Sequence, residues 1–172
     1  SVNEMKWGIF FVFFLAFILG LYLVFSVGLI ILWIGIFSIA AGLAYTAGPF
    51  PLAYNGLGDL FVFLFFGIVG TVGTYYLHTQ QFTSLAFLIS LPVGALITNI
   101  LIVNNYRDIE EDKIAGKNTL AVVLGREFSR YEYVFFILVS FFIPFLLHFK
   151  YDFNIWIFLP YVTLPIAITL VK

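Results

Sequence analysis

The chain contains no cysteine, one methionine and two histidines. No disulfide can staple it and no thiolate metal site can form. Charge is scarce as well. Eight Lys and Arg and nine Asp and Glu make up 10% of the 172 residues, against about 25% in ordinary globular domains. So few basic side chains, in a chain of net charge −1, exclude a nucleic-acid partner, which needs a dense basic patch. Before residue 104 only Glu4, Lys6 and Asp59 are charged at neutral pH.

What fills the chain instead is hydrocarbon. Hydrophobic residues make up 63%, Phe alone occurs 23 times, and the mean hydropathy is +1.10. No water-soluble core of this size can hide that much apolar surface, so the solvent is lipid. Lipid cannot satisfy an open sheet edge, which makes helix the default for every span. The expected fold is therefore an all-α, polytopic transmembrane bundle, with residues 1–172 as one membrane domain.

Six spans of the ~20 residues that a bilayer requires can be drawn: 7–25, 29–45, 59–77, 85–103, 131–149 and 153–171. The first lacks a small-residue cleavage site and reads as a mature membrane helix. Turn chemistry separates the spans, in "TAGPFPLAYNGLG" (46–58) and "HTQQFTS" (78–84) above all. Pro92, Pro144, Pro160 and Pro165 fall inside spans and are expected to kink them. Gly67, Gly70 and Gly73, and Ser38, Ala41 and Gly42, recur at helical spacing and are expected to let helices approach closely. Strict alternation of six spans puts Lys6, the 104–130 segment and Lys172 on one side. That side holds seven of the eight basic residues, and Lys150 stands opposite. The positive-inside rule makes the crowded side cytoplasmic.

The charge arrives in "NNYRDIEEDKIAGKNTLAVVLG" (104–125), with six charges in the seven residues from Arg107 to Lys113. Asn104, Asp108 and Asp112 stand at i, i+4 and i+8, on one face if the fourth span continues as helix past the interface. Two carboxylates so spaced repel each other unless a cation lies between them. A solvated, mixed-charge helix end explains the charge but not this like-charged pair. Mg²⁺ suits the place, because it takes one or two carboxylates and completes its shell with water and substrate phosphate. Arg107, Lys113 and Lys117 are cations fit to hold the remaining phosphate oxygens. The "GKN" at 116–118 is not a P-loop, since residue 111 is Glu rather than Gly and no Ser or Thr directly follows Lys117. Membrane enzymes that transfer phosphoalcohols from CDP-linked donors also carry a D-x-x-x-D pair, but their D-G-x-x-A-R stretch is missing here. His78 and His148 fall at the opposite membrane face, away from the acidic pair.

This segment resembles the second Asp-rich motif of the UbiA superfamily of membrane prenyltransferases. "YTAGPFPLAYNGLGDLFVFLFFGIVGTVGTYY" (45–76) is similar to the loop and following helix of the naphthoate prenyltransferases of menaquinone synthesis. Asp59 stands where Glu is common in that stretch, and Tyr106 where Leu or Ile is common. The resemblance implies a bundle of about nine spans whose central cavity opens to lipid. Two Asp-rich motifs would bind Mg²⁺ and a polyprenyl diphosphate there. No first motif, N-x-x-x-D-x-x-x-D, precedes residue 104, so the chain is expected to be a piece covering roughly the third to the eighth span. The activity implied is transfer of the polyprenyl group to 1,4-dihydroxy-2-naphthoate, giving demethylmenaquinone, diphosphate and CO2. Asp108 and Asp112 would be catalytic and, together with Asn104, would be the metal ligands. Arg107, Lys113 and Lys117 would hold diphosphate. Tyr45, Tyr54, Tyr75 and Tyr76 could offer aromatic faces to the allylic cation or acceptor. The setting implied is a bacterial plasma membrane. Two other readings compete: a UbiA-type enzyme with another aromatic acceptor such as hydroxybenzoate or homogentisate, and a cation-binding transporter. Transport sites lie near the bilayer midplane at broken helices, whereas this acidic cluster lies at a helix end.

Overall fold

A computed structural model of the chain describes residues 1–171. It is built from helices, with no strand among the described residues. Helices α1 (Val2–Val27) and α2 (Leu29–Thr46) form an N-terminal pair. A loop with a short 3-10 turn at Leu52–Tyr54 leads to α3 (Gly58–Val62). The same rod continues as a π-helix (Phe63–Val69) and then as α4 (Gly70–Thr79). Next come α5 (Ser84–Arg107), the short α6 (Ile109–Ile114) and the long α7 (Leu120–Tyr151). A 3-10 stretch (Ile155–Thr163) and α8 (Leu164–Val171) complete the fold.

Five rods are long and apolar enough to cross a membrane: α1, α2, the α3–π–α4 rod, α5 and α7. The protein is an integral membrane protein. The sixth expected span is different. Residues 155–163 wind as 3-10 helix around Pro160, and only Leu164 onward is α-helical. Each proline removes an amide donor and crowds the preceding turn, and Pro160 and Pro165 do so in close succession. Pro92 and Pro144, by contrast, lie inside the α-helical runs of α5 and α7. Lys172, placed on the cytoplasmic side by its sequence position, lies outside the described residues.

The core is the packing of α5 against α7 and against the α3–π–α4 rod. Small side chains make this possible: Ser90, Ala95 and Thr98 of α5 are fully buried. Their hydroxyls are satisfied within the helix, Ser90 Oγ donating to Phe87 O at 2.6 Å and Thr98 Oγ1 to Gly94 O at 2.8 Å. Gly67 of the π-helix meets Gly94 of α5 backbone to backbone. A Cβ on Gly67 would lie 2.4 Å from Gly94 Cα. The expectation of close glycine packing holds at Gly67 but not at Gly73, which has open space beside it. Ser38, Ala41 and Gly42 line an apolar groove rather than a tight crossing. Helix α1 buries none of its residues, as suits a rod that is apolar all round and solvated by lipid.

The segment 104–130 is mostly helical, because α7 begins eleven residues before the expected span. Thr119 caps it, its Oγ1 accepting from Val122 N–H at 3.3 Å. Gly125 interrupts it with φ 84 and ψ 174, a region that only glycine occupies without strain. Gly125→Ala is therefore expected to destabilise the fold by about 1–3 kcal/mol, read as a lower Tm of the detergent-solubilised protein. An unchanged Tm would mean that this turn relaxes freely.

Candidate active site

The acidic segment is not one continuous helix. Helix α5 ends at Arg107, and Asp108 adopts φ −95 and ψ 14 before α6 resumes at Ile109. The reason is local. Asp108 is short and polar, and its carboxylate is held by the adjacent guanidinium, with Arg107 Nε donating to Oδ1 at 2.6 Å and Nη2 to Oδ2 at 2.8 Å. The i to i+4 backbone bonds survive the break. Asp108 N–H donates to Asn104 O at 3.0 Å and Asp112 N–H to Asp108 O at 2.8 Å. The Arg107 guanidinium holds the Asp108 carboxyl below its usual range.

After α6 the chain reverses at Gly116, whose φ of +70 suits glycine. The turn brings Lys117 back onto α6. Its amide donates to Asp112 O at 2.9 Å and its Nζ to Asp112 Oδ1 at 2.6 Å. Asp112 is only 6% exposed, and the hydrogen bond that Lys117 donates to it raises the Lys117 ammonium above the usual lysine value. Asp108 also lies within electrostatic reach of Lys117. Asp112 and Lys117 thus form a closely held charged pair. The loop before α3 closes over it. Asn118 N–H donates to Tyr54 O at 2.8 Å, and Lys117 Nζ sits 5.6 Å from the centre of the Tyr54 ring.

Beneath this group lies a cavity of about 260 Å³. Asp112 and Lys117 line it, as do Tyr45, Tyr54, Asp59 and Asn105. Four of the expected site residues therefore meet in one place: Asp112, Lys117, Tyr45 and Tyr54. Asp108 stands outside the lining, tied to Arg107. Asn104 and Lys113 are exposed and do not line the cavity. The neighbouring Asn105 does line it. Tyr75 and Tyr76 lie near the far end of α4, where Tyr76 stacks on Phe82 at 4.5 Å, and they do not line this cavity. His78 and His148 likewise sit toward that far end, in the last turns of α4 and α7.

Sequence reasoning passed over Asp59 and Asn105. Asp59 is 3% exposed, and Asn105 Nδ2 donates to its Oδ1 at 3.4 Å. The signal was present: Asp59 is the one charged residue between Lys6 and Arg107, and an ionisable residue within a membrane span is a functional candidate by default. A second, apolar groove of about 550 Å³ runs between α2 and the α3–π rod, lined by Ser38, Ala41, Gly42 and four residues of the rod. Tyr45 lines both, so one residue borders the polar cavity and the apolar groove.

The Asp112–Lys117 pair thus stands beside a polar cavity that shares Tyr45 with an apolar groove, in a bundle of helices long and apolar enough to cross a membrane. In comparison with known families, the UbiA prenyltransferase family model matches residues 1–172, and the chain belongs to that family. It is 42% identical over 131 residues to the 1,4-dihydroxy-2-naphthoate octaprenyltransferase of Haemophilus influenzae, a match covering 73% of this chain and 42% of that protein. It is 37% identical over 143 residues to UbiA prenyltransferase domain-containing protein 1 of Dictyostelium discoideum, covering 83% and 43%. It is 34% identical over 88 residues to the 2-carboxy-1,4-naphthoquinone phytyltransferase of Synechocystis, covering 51% and 29%. The chain thus spans well under half the length of these curated relatives. No solved structure matches it.

Proposed function

We propose that the full-length protein transfers a polyprenyl group from its diphosphate to 1,4-dihydroxy-2-naphthoate at the cytoplasmic membrane face, releasing diphosphate and CO2. The observation that carries this is the junction at Tyr45. A substrate with an anionic head and a long hydrocarbon tail needs a polar chamber continuous with an apolar groove, and Tyr45 is shared between the two. Family membership and the naphthoate relatives support the acceptor class. The cytoplasmic placement rests on the positive-inside rule.

The donor set suits Mg²⁺ in kind. Asp108 and Asp112 supply hard oxygens one helical turn apart, and Lys117 lies within reach of both. No group of three or more His, Cys, Asp or Glu side chains gathers among the described residues. A dication that keeps waters and takes phosphate oxygens from its substrate needs no such group. Asp108 and Asp112 would hold it, and when bound it would supply positive charge against the diphosphate. Lys117 would transfer its hydrogen bond from Asp112 to a phosphate oxygen, with Arg107 and Lys113 adding charge from the rim. These cations favour departure of diphosphate because they stabilise the charge that develops on it. The Tyr45 and Tyr54 rings would face the allylic carbon, where a π-face favours positive charge.

The test is direct. Membranes carrying the full-length protein receive labelled polyprenyl diphosphate and 1,4-dihydroxy-2-naphthoate, with and without Mg²⁺. The expected result is a prenylated, decarboxylated lipid that forms only with the metal. Product with hydroxybenzoate or homogentisate alone would keep the family and change the acceptor. No product with any acceptor would overturn the reading and reopen cation transport.

A further inference from the structure

We propose that Asp59 receives the aromatic acceptor: its carboxylate binds the ring hydroxyl next to the acceptor's carboxylate and holds that proton while the new carbon–carbon bond forms. This rests on the transfer reaction proposed above and adds the group that handles the acceptor's proton.

Asp59 is among the most buried polar side chains of the fold, at 3% exposure. Burying a carboxylate is costly unless it is paired and hydrogen-bonded. Yet Asp59 has no cationic partner among the described residues. The ion pairs among the described residues join Ser1 to Glu4, Arg107 to Asp108, Lys117 to Asp112 and Arg126 to Glu110. The lysine that lines the same cavity is engaged by Asp112. The side-chain bond that Asp59 does receive, from Asn105, is long at 3.4 Å. An ionised carboxylate has about four acceptor positions, so most of its capacity is free for a donor from the cavity.

The cavity is of the right scale and character. At about 260 Å³ it falls just under the ~300 Å³ lower end of small-molecule sites. That is room for a bicyclic ring but not for a polyprenyl chain, for which the groove beyond Tyr45 is the larger space. Several groups surround Asp59. Asn105 comes from α5 and Tyr45 from α2, with the Tyr45 hydroxyl 3.4 Å from where a Cβ on the adjacent Gly58 would stand. Glu132 of α7, half-buried, lies within electrostatic reach. Tyr54 and the Asp112–Lys117 pair complete the lining. Apart from the lysine these are neutral or acidic, so Asp59 suits the acceptor's neutral hydroxyl while Lys117 is the lining group that suits the acceptor's own carboxylate.

The chemistry balances without a net proton. The ring O–H bond breaks and its proton passes to Asp59. The freed electron pair moves through the ring to the carbon bearing the carboxylate. That carbon bonds to the first carbon of the prenyl group, whose C–O bond breaks with its pair leaving on diphosphate. The product of this step is a ketone whose neighbouring carbon carries both the prenyl group and the carboxylate. CO2 then leaves, its bonding pair restores the aromatic ring, and the oxygen regains its proton from Asp59. Asp59 ends the cycle as it began.

The test compares wild type, Asp59→Asn and Asp59→Glu as purified full-length protein with Mg²⁺. It measures kcat and KM for dihydroxynaphthoate across pH, and Kd for polyprenyl diphosphate. A positioned proton acceptor contributes about 10²–10⁴-fold. Asp59→Asn is therefore expected to lose at least about 100-fold in kcat at pH 7 while binding the diphosphate as wild type does. Its rate should climb about tenfold per pH unit toward the ionisation of the acceptor's own hydroxyl, near ~10 for a phenol, while the wild-type rate levels off. Asp59→Glu should keep the wild-type pH profile and lose less than about tenfold. If Asp59→Asn fails to accumulate, Asp59→Glu carries the test, and a Glu variant that binds diphosphate but does not turn over would overturn the proposal. So would an Asn variant with near-wild-type kcat, one whose loss is flat across pH, or one that loses diphosphate binding in parallel. Wild-type protein inactive with every aromatic acceptor would instead remove the transfer reaction itself.

Discussion

Asp112→Asn is expected to reduce prenyl transfer by about 10²–10³-fold, the scale of losing one group that stabilises transition-state charge, and to leave the fold intact. Asp112 joins the described parts of the site: it lines the cavity, holds Lys117 at 2.6 Å and stands one turn after Asp108. Asparagine keeps its shape and removes its charge. Lys117 then loses its anchor, but its side chain is about one-third exposed and can be solvated. An ion pair with such access to water contributes about 0–1 kcal/mol to stability. Activity and stability should therefore separate, with initial rates at saturating substrate collapsing while the thermal melt moves little. Glu110→Gln is the control, because Glu110 is exposed and meets only Arg126 at 3.8 Å, and it should change the rate less than about twofold. Equal rates for both variants would mean that the acidic segment is a solvated helix end.

The second large effect concerns packing. Gly67→Ala is expected to destabilise the bundle by about 1–3 kcal/mol, as overpacking does, and to lower Tm in detergent by several degrees. The added methyl would lie 2.4 Å from Gly94 Cα and 2.9 Å from Gly94 N. The obstacle is backbone rather than a movable side chain, so α5 and the π-helix would have to separate. Gly73→Ala, two turns along the same rod, meets nothing within 4 Å. It should be neutral or stabilising by up to about 1 kcal/mol through helix propensity. Equal Tm for the two variants would refute the close crossing.

Much of this architecture was legible in the chain. Long apolar runs specify helices in lipid whatever their tertiary partners, so α1, α2, α5 and α7 follow from composition. Proline pairs are less decisive. Pro92 is tolerated within α5, whereas Pro160 and Pro165 prevent a regular sixth span, and only packing distinguishes the cases. The acidic segment was legible as chemistry, because a like-charged i, i+4 pair requires a cation. Its geometry was not. The Arg107 grip that breaks the helix at Asp108 is a short-range side-chain choice that spacing does not encode. The return of Lys117 to Asp112 depends on the positive φ of Gly116. Asp59 was visible as an isolated charge, but its juxtaposition with Asn105 joins residues 46 positions apart in the chain.

The π-helix at Phe63–Val69 changes the phase of the rod that carries Asp59. On α5, Gly94 and Asn105 are 11 residues apart and return to within about 20° of each other at 3.6 residues per turn. That stripe touches the rod at both ends, through Gly67 and through Asp59. Asp59 and Gly67 are eight residues apart, and an unbroken α-helix would splay them by about 80°. A π turn closes its hydrogen bond one residue later, so each residue rotates the chain less and the two drift back toward a common side. The widened turn thus works as a phase corrector, allowing one straight stripe on α5 to meet a tight glycine crossing and a buried carboxylate on the same partner.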